Sequence, residues 1–271
     1  PLRSFFCDRI QRLSLQTCRL AILVAPAGFG KTTAILLSLQ RHRDCTRWYR
    51  LEREDSFLPV FYQHLLSMLF SAQGRAQTDS FRMFNSLGNL QEDYPLLNAQ
   101  ICQEMASLVE DSIDDLFLVF DDYQAVMDND VIKSTMQYFA SNMPACVHVI
   151  IASRKDPGIL TGKLLLHPRC RLFDVTSLLF QRHEVRALVQ DVYGMKLDDD
   201  QFESLVRISE GWAAGIYIIC HSGMLSRKSA PAAPPEGVDA LFFGFLEEFL
   251  SSVTDDQKAL LLELSQLDDF S

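Results

Sequence analysis

Short apolar runs alternate with amphipathic stretches along the chain as far as about Val175, and from Gln181 the pattern turns to helical spacing alone. Ala21–Val24, Arg47–Leu51, Leu116–Phe120, Val147–Ala152 and Arg171–Val175 read as strands. The runs at 116–120 and 147–152 are apolar nearly without interruption, as strands buried on both faces are. Between the runs, Ala34–Leu39, Leu58–Phe70, Ala99–Ser112 and Val131–Ala140 place apolar residues at helical spacing; Phe61, Leu65 and Leu69 form one such stripe, read as core. Strands that alternate with helices call for a parallel sheet with helices on both faces.

After Gln181 come His183–Val192, Asp198–Ile208 and Glu210–Cys220, then Val238–Ser251 and Thr254–Leu264, where Thr254 and Gln257 have capping-box spacing. Arg227–Gly237 holds Pro231, Pro234 and Pro235 and reads as a linker. The expected division is an α/β domain over 1–178, a helical domain over 179–226, a linker over 227–237 and further helices over 238–271. Gln73–Pro95 is polar and reads as an insertion or loop. Pro1–Thr17, with Phe5, Phe6, Ile10 and Leu13 at helical spacing, reads as a segment that covers a ligand or as a helix packed on the core. No repeat is visible.

The chemistry gathers where the strands end. Ala25-Pro26-Ala27-Gly28-Phe29-Gly30-Lys31-Thr32-Thr33 follows the first strand and opens a helix, the order a phosphate-binding loop needs. Its glycines let backbone N–H groups turn toward phosphate oxygens, and the positive end of the helix faces the same anion. Lys31 has the reach for terminal phosphates, and the Thr32 hydroxyl can join the shell of a Mg²⁺ ion. Ala25 stands where the common pattern has glycine.

Asp121 and Asp122 end the third run, the Walker-B arrangement: Asp121 to hold Mg²⁺ through water, Asp122 as catalytic carboxylate. Arg154, just past the fourth run, is placed to sense a γ-phosphate. Asp55, after the second run, has two readings: a ligand-facing carboxylate at the sheet edge or a solvated loop charge. His148, between two valines, reads as a packed histidine.

Composition narrows the partners. Of 271 residues 48% are hydrophobic, and the formal net charge of −10 argues against this piece holding nucleic acid by itself. Seven cysteines without a C-x-x-C pattern suggest free thiols rather than a disulfide framework or zinc site. No run reaches membrane-spanning length. The chain opens at Pro1 without Met, and stops after an amphipathic stretch, so it is expected to be part of something longer.

Several motifs coincide with those of one family: Ala-Pro-Ala-Gly-Phe-Gly-Lys-Thr-Thr at 25–33, Trp48-Tyr49-Arg50-Leu51, Leu-Val-Phe-Asp-Asp-Tyr at 118–123, Ile-Ala-Ser-Arg at 151–154, Leu179-Phe180 and Glu210-Gly211-Trp212-Ala213-Ala214-Gly215. The chain resembles the nucleotide-binding module of MalT-like bacterial transcription regulators with a LuxR-type helix-turn-helix, which are signal-transduction ATPases with numerous domains (STAND) and relatives of AAA+ ATPases.

The resemblance implies an ATP/ADP switch with Mg²⁺, in which slow hydrolysis resets an opened, self-associated state in the cytoplasm of a bacterium. It assigns the cofactor contacts to Ala27, Gly28, Phe29, Gly30, Lys31, Thr32, Thr33 and Trp212, the metal to Thr32 and Asp121, and catalysis to Asp121, Asp122 and the sensor Arg154. Residues 254–271 resemble the start of a winged-helix domain. DNA binding and response to an inducer would belong to domains beyond this chain. Two other classes stay open: a conventional P-loop enzyme such as a kinase, and a nucleotide-holding scaffold without turnover.

Overall fold

The computed structural model describes residues 13–70, 78–110 and 115–221. Five strands, β1 (Leu20–Val24), β2 (Thr46–Arg50), β3 (Leu116–Asp121), β4 (Val147–Ser153) and β5 (Cys170–Phe173), form one sheet in the order β2-β3-β4-β1-β5. Every pairing is parallel. Burial follows position in the sheet. All of β4 is buried, whereas the outer strands β2 and β5 expose part of their length. This is why β3 and β4 are the most continuously apolar runs in the sequence.

Ten α-helices complete the described residues: α1 (Lys31–Ser38), α2 (Leu58–Phe70), α3 (Asp79–Ser86), α4 (Leu90–Glu110), α5 (Asp130–Asn142), α6 (Gly162–Leu165), α7 (Val175–Leu178), α8 (Arg182–Ala187), α9 (Asp199–Ser209) and α10 (Ala213–His221). No helix among them is long and apolar enough to cross a membrane. The expected helices at 238–251 and 254–264 and the linker at 227–237 lie outside the described residues.

The chain divides into two compact units. One comprises the residues up to Pro26 together with Gly30–Leu178; the other comprises Ala27–Phe29 and the residues from Leu179 on. The first holds the sheet. Its core runs from the sheet residues Leu20, Ile22, Leu118, Phe120, Val149 and Ile151 to Phe61, Tyr62, Leu65, Leu66 and Phe70 of α2 and to Met136 and Phe139 of α5.

Three readings need correction. The polar stretch 73–95 is not a loop where it is described: α3 lies within it and α4 begins in it. Its apolar residues Phe81, Met83 and Phe84 pack on the core. Thr78 caps α3, and the Glu104 carboxylate accepts from the Asp79 N–H at 2.6 Å and from the Ser80 N–H at 3.2 Å, satisfying donors that a helix start leaves open. α4 is fixed in turn by a buried ring of three hydroxyl and amide groups. Tyr62 donates to Asn98 Oδ1 at 3.0 Å, and Asn98 Nδ2 donates to Thr135 Oγ1 at 3.0 Å. The Tyr62 proton is then spent, so the 2.9 Å contact between the two hydroxyls is closed by Thr135 donating to Tyr62.

The fifth strand ends at Phe173, two residues short of its expected end, because Asp174 turns the chain into α7 by accepting from Thr176 Oγ1 and the Ser177 N–H. The expected helix 183–192 is α8 continued by a π-helical turn over Leu188–Val192. His148 is packed as expected: 1% exposed, stacked on Phe117 with centroids 4.7 Å apart, with Nδ1 2.5 Å from the Cys18 carbonyl.

Asp55 fits neither of its readings. It is 2% exposed, accepts from the Tyr49 hydroxyl and the Glu52 N–H at 2.7 Å each, and lies 2.8 Å from His64 Nδ1. It is a buried brace where β2 turns toward α2. Burial and the adjoining carboxylate together push the Tyr49 phenol far above its ordinary range. Asp55→Ala would strand the buried Tyr49 hydroxyl, at a cost of about 3 kcal/mol. The expected result is a lower midpoint in urea with an unchanged m-value, alongside undiminished nucleotide affinity per folded molecule.

Candidate functional site

The sheet order decides where a site can form. β1 lies between β4 and β5, so the chain leaves β1 in one direction toward β2 and later returns across it to reach β5. Ligand crevices in open α/β sheets lie at the carboxyl ends of the strands beside such a reversal. Register levels those ends: Val24 pairs with Ser153, Phe120 with Ile151, and Arg50 with Asp121.

The segment after β1 starts from this edge of the sheet. Gly28 and Gly30 adopt positive φ of 76° and 78°, a region costly for side chains, and Gly30 is the N-cap of α1. No acidic residue stands in the first turn of α1, so the positive end of that helix is not neutralised from within. The Lys31 ammonium lies across its own loop, 2.6 Å from the Ala25 carbonyl and 3.0 Å from that of Pro26. Thr32 and Thr33 follow on the exposed side of the first turn. The Thr32 hydroxyl donates to Asp121 Oδ2 at 2.9 Å, joining the start of α1 to the end of β3.

The two aspartates have separate surroundings. Asp121 is 5% exposed, and its Oδ1 accepts the Asp122 N–H at 3.0 Å. Asp122 sits at φ 56°, ψ 37°, a left-handed conformation that Asp tolerates better than most residues and that swings its carboxylate away from its neighbour's. Asp122 Oδ2 accepts from Arg50 Nε at 3.0 Å and Oδ1 from Gln124 Nε2 at 2.9 Å. Partial burial raises the Asp122 pKa, but those two hydrogen bonds and the charges of Arg50 and Arg154 outweigh it and hold the carboxyl below its ordinary range. Gln124 Oε1 in turn accepts the Arg154 N–H at 3.0 Å. Buried at the end of β4, Ser153 Oγ has no partner among the described residues.

Lys31, Thr32, Asp121, Asp122 and Arg154 therefore converge on one edge of the first unit. Arg50 and Gln124 belong to the same cluster and were not read from the sequence. Arg50 could have been found only by knowing that β2 pairs with β3, and Gln124 only from the turn that brings it back on Asp122. No group of three or more His, Cys, Asp or Glu among the described residues could hold a metal alone. The donor set suits an ion that brings its remaining ligands with it: one hydroxyl, one carboxylate and a helix start fit Mg²⁺ arriving on phosphate oxygens.

The second unit holds Ala27, Gly28, Phe29 and Trp212. There the Ala214 N–H donates to the Gly28 carbonyl at 3.0 Å, and the rings of Phe29 and Trp212 lie 6.1 Å apart. Ala27 is the third residue of the loop tip grouped with this unit. The motif Glu210–Gly215 acquires a local reason. Gly211, at φ 80°, presses on the Phe180 backbone, where a Cβ would come within 2.4 Å of the Phe180 carbonyl; Gly215 lies beneath the Trp212 ring, where a Cβ would come within 2.7 Å of Cε3. Both readings of Trp212, packed anchor and nucleotide contact, survive this geometry.

No family model matches the chain. It is 26% identical over 253 residues to the HTH-type transcriptional regulator MalT of Yersinia enterocolitica, an alignment covering 92% of this chain and 27% of that protein. MalT of Serratia proteamaculans is matched to the same extent. The chain thus spans about a quarter of the length of the curated relatives it matches, since 27% of each is covered. Among solved structures it is similar to a Signal Transduction ATPase with Numerous Domains (STAND) protein with a tetratricopeptide repeat sensor from Pyrococcus horikoshii, with a TM-score of 0.56 and 16% identity over 99% of this chain and 34% of that one. The fold is similar to that of this STAND protein, and the similarity to MalT read from the sequence extends over 92% of the chain.

Gly215→Ala tests the packing of the motif. Alanine in place of glycine inside α10 would add about 1 kcal/mol of helix stability. Overpacking against the Trp212 ring costs about 1–3 kcal/mol, so a net loss with a shifted Trp212 emission is expected. In a Trp212→Leu background the same substitution should become neutral or stabilising, read as the coupling in a double-mutant cycle.

Proposed function

We propose that the chain is the nucleotide-binding switch module of a transcriptional regulator, taking ATP or ADP with Mg²⁺ on the loop at 25–33 and hydrolysing ATP slowly. The observation that carries this is the 2.9 Å bond between the Thr32 hydroxyl and Asp121 at the end of a Lys31-bearing loop. A hydroxyl at the start of α1 and a carboxylate at the end of β3 have no reason in packing alone to meet on this edge of the sheet. Both are ligand types for Mg²⁺, and they stand beside a cation and an uncompensated helix N-terminus, which suit phosphate.

Within this reading Lys31 exchanges its loop carbonyls for phosphate oxygens, and the backbone N–H groups around Gly28 and Gly30 orient the same oxygens. Thr32 and Asp121 hold the metal, which supplies Lewis-acid charge to the phosphates when bound. Asp122 orients the attacking water and accepts its proton. Arg154 stands at the neighbouring strand end as the residue that distinguishes triphosphate from diphosphate. The net effect is a two-state element biased by the terminal phosphate.

The likeness to MalT, a regulator by its name, is what points the switch toward transcription. In a longer protein of that kind, self-association in the ATP state, DNA binding through a separate domain and an inducing signal complete the proposal. A cytoplasmic bacterial location belongs to the same reading.

Two measurements test it. Lys31→Ala should weaken ATP and ADP binding by about a hundredfold, the equivalent of one lost charge-assisted contact of ~3 kcal/mol. Unchanged affinity in a titration with fluorescent nucleotide would remove the central claim. Asp122→Asn should retain ATP affinity while slowing phosphate release by about a hundredfold or more. Wild-type turnover would take the catalytic role from Asp122.

A further inference from the structure

We infer that Gln124 is a positioning residue that ties the Asp122 carboxylate to the end of strand β4, so that the hydrolytic carboxylate and the Arg154 position are set together. The inference rests on the nucleotide-switch reading above and adds a residue that neither the loop nor the Walker-B motif contains.

The geometry leaves one arrangement of the Gln124 amide. An ionised Asp122 Oδ1 can only accept, so the group 2.9 Å from it must be Nε2. The Arg154 N–H can only donate, so the group 3.0 Å from it must be Oε1. Both ends of one amide are thus committed, one to the end of β3 and one to the residue following β4. β3 and β4 are paired neighbours in the sheet, with Phe120 opposite Ile151. Just past that pairing Gln124 supplies a side-chain bridge between the two strand ends.

The other Asp122 oxygen is fixed by Arg50 from the far side, at the end of β2. That pair is exposed, with 73% of the arginine side chain open to solvent, and exposed ion pairs contribute little stability. Arg50 therefore sets direction more than it holds Asp122 in place. Asp122 itself is in the left-handed region, so its backbone does not select the side-chain direction by ordinary strand geometry. Gln124 supplies the constraint, and it does so from a half-buried position on the short turn Tyr123–Ala125, whose Tyr123 is fully buried. A shift at Arg154 on the order of 1 Å pulls on the same amide that aims Asp122, and displacements of that size are costly to catalysis.

Two substitutions separate the two ends. Gln124→Leu removes both hydrogen bonds at similar volume. Gln124→Glu keeps an acceptor for the Arg154 N–H and sets a carboxylate against Asp122. With Mg-ATP, Gln124→Leu should lower kcat about tenfold with KM unchanged, and should narrow the ratio of ATP to ADP affinity. Gln124→Glu should lower kcat at least as much while keeping the affinity ratio near that of the wild type. A merely structural role would instead lower the thermal midpoint and leave kcat per folded molecule and the affinity ratio untouched, overturning the inference.

If the wild-type chain binds nucleotide without turnover, the affinity ratio alone decides: a narrowed ratio in Gln124→Leu supports the tie and an unchanged one overturns it. If the wild-type chain binds no nucleotide, both this inference and the proposed function fall. If it binds and turns over and Gln124→Leu matches it in both readouts, only this inference falls.

Discussion

Parallel pairing, with its register, is the constraint from which everything else follows. Each parallel strand must send the chain back through a crossover, and the shared strand direction leaves all carboxyl ends on one edge of the sheet. That edge carries the ends of four strands: the loop after β1, Arg50 at the end of β2, Asp121 and Asp122 at the end of β3, and Ser153 and Arg154 at the end of β4. Residues far apart in sequence meet because register levels these ends to within a residue. The 2.9 Å bond between Thr32 and Asp121 is the visible product, reaching from the helix after β1 past β4 to β3.

The core explains why the edge holds still. β3 and β4 carry apolar side chains on both faces, and α2 and α5 bury Phe61, Leu65, Met136 and Phe139 against them. Two polar clusters inside this core are matched within themselves. The Tyr62–Asn98–Thr135 ring joins three helices, and Asp55 gathers Tyr49, the Glu52 N–H and His64. Such networks cost little when every member is satisfied, and they fix one packing among many apolar alternatives. Asp55 thus stiffens the turn directly after Arg50, one of the two residues that aim Asp122.

The succession of strands along the chain and the strand–glycine loop–helix unit at 21–39 were legible because each depends on local pattern: an apolar run, two glycines, Lys-Thr, then helical spacing. The Asp121–Asp122 pair was legible for the same reason, as the polar end of a buried run. What the pattern did not carry was anything decided by long-range pairing. Arg50 looked like any strand-end arginine until β2 was seen to pair with β3, and Gln124 looked like turn polarity. The stretch 73–95 misled because its helices are amphipathic but short of aliphatic residues, with Phe81, Met83 and Phe84 bearing the packing. Asp55 misled in the opposite sense: a carboxylate in an acidic cluster reads as solvated, and only the buried Tyr49 hydroxyl and His64 reveal its place.

Two adjacent carboxylates can serve one reaction only if their environments differ, since like neighbours would compete for the same proton or metal. Here the difference is made by the backbone. Asp121, still in strand geometry, is buried and engaged by a hydroxyl and an N–H, partners that leave its charge to be met by a cation. Asp122, one residue later at φ 56°, faces the other way into Arg50 and Gln124 and is held in its charged form by them. A carboxylate so engaged stays charged and aimed, its direction set by Arg50 and Gln124. In the proposed switch this places the control of hydrolysis in the hydrogen bonds around Asp122, while the loop and Asp121 remain free to hold nucleotide whether or not it is turned over. Binding and turnover can then be set separately, which is what a timer requires.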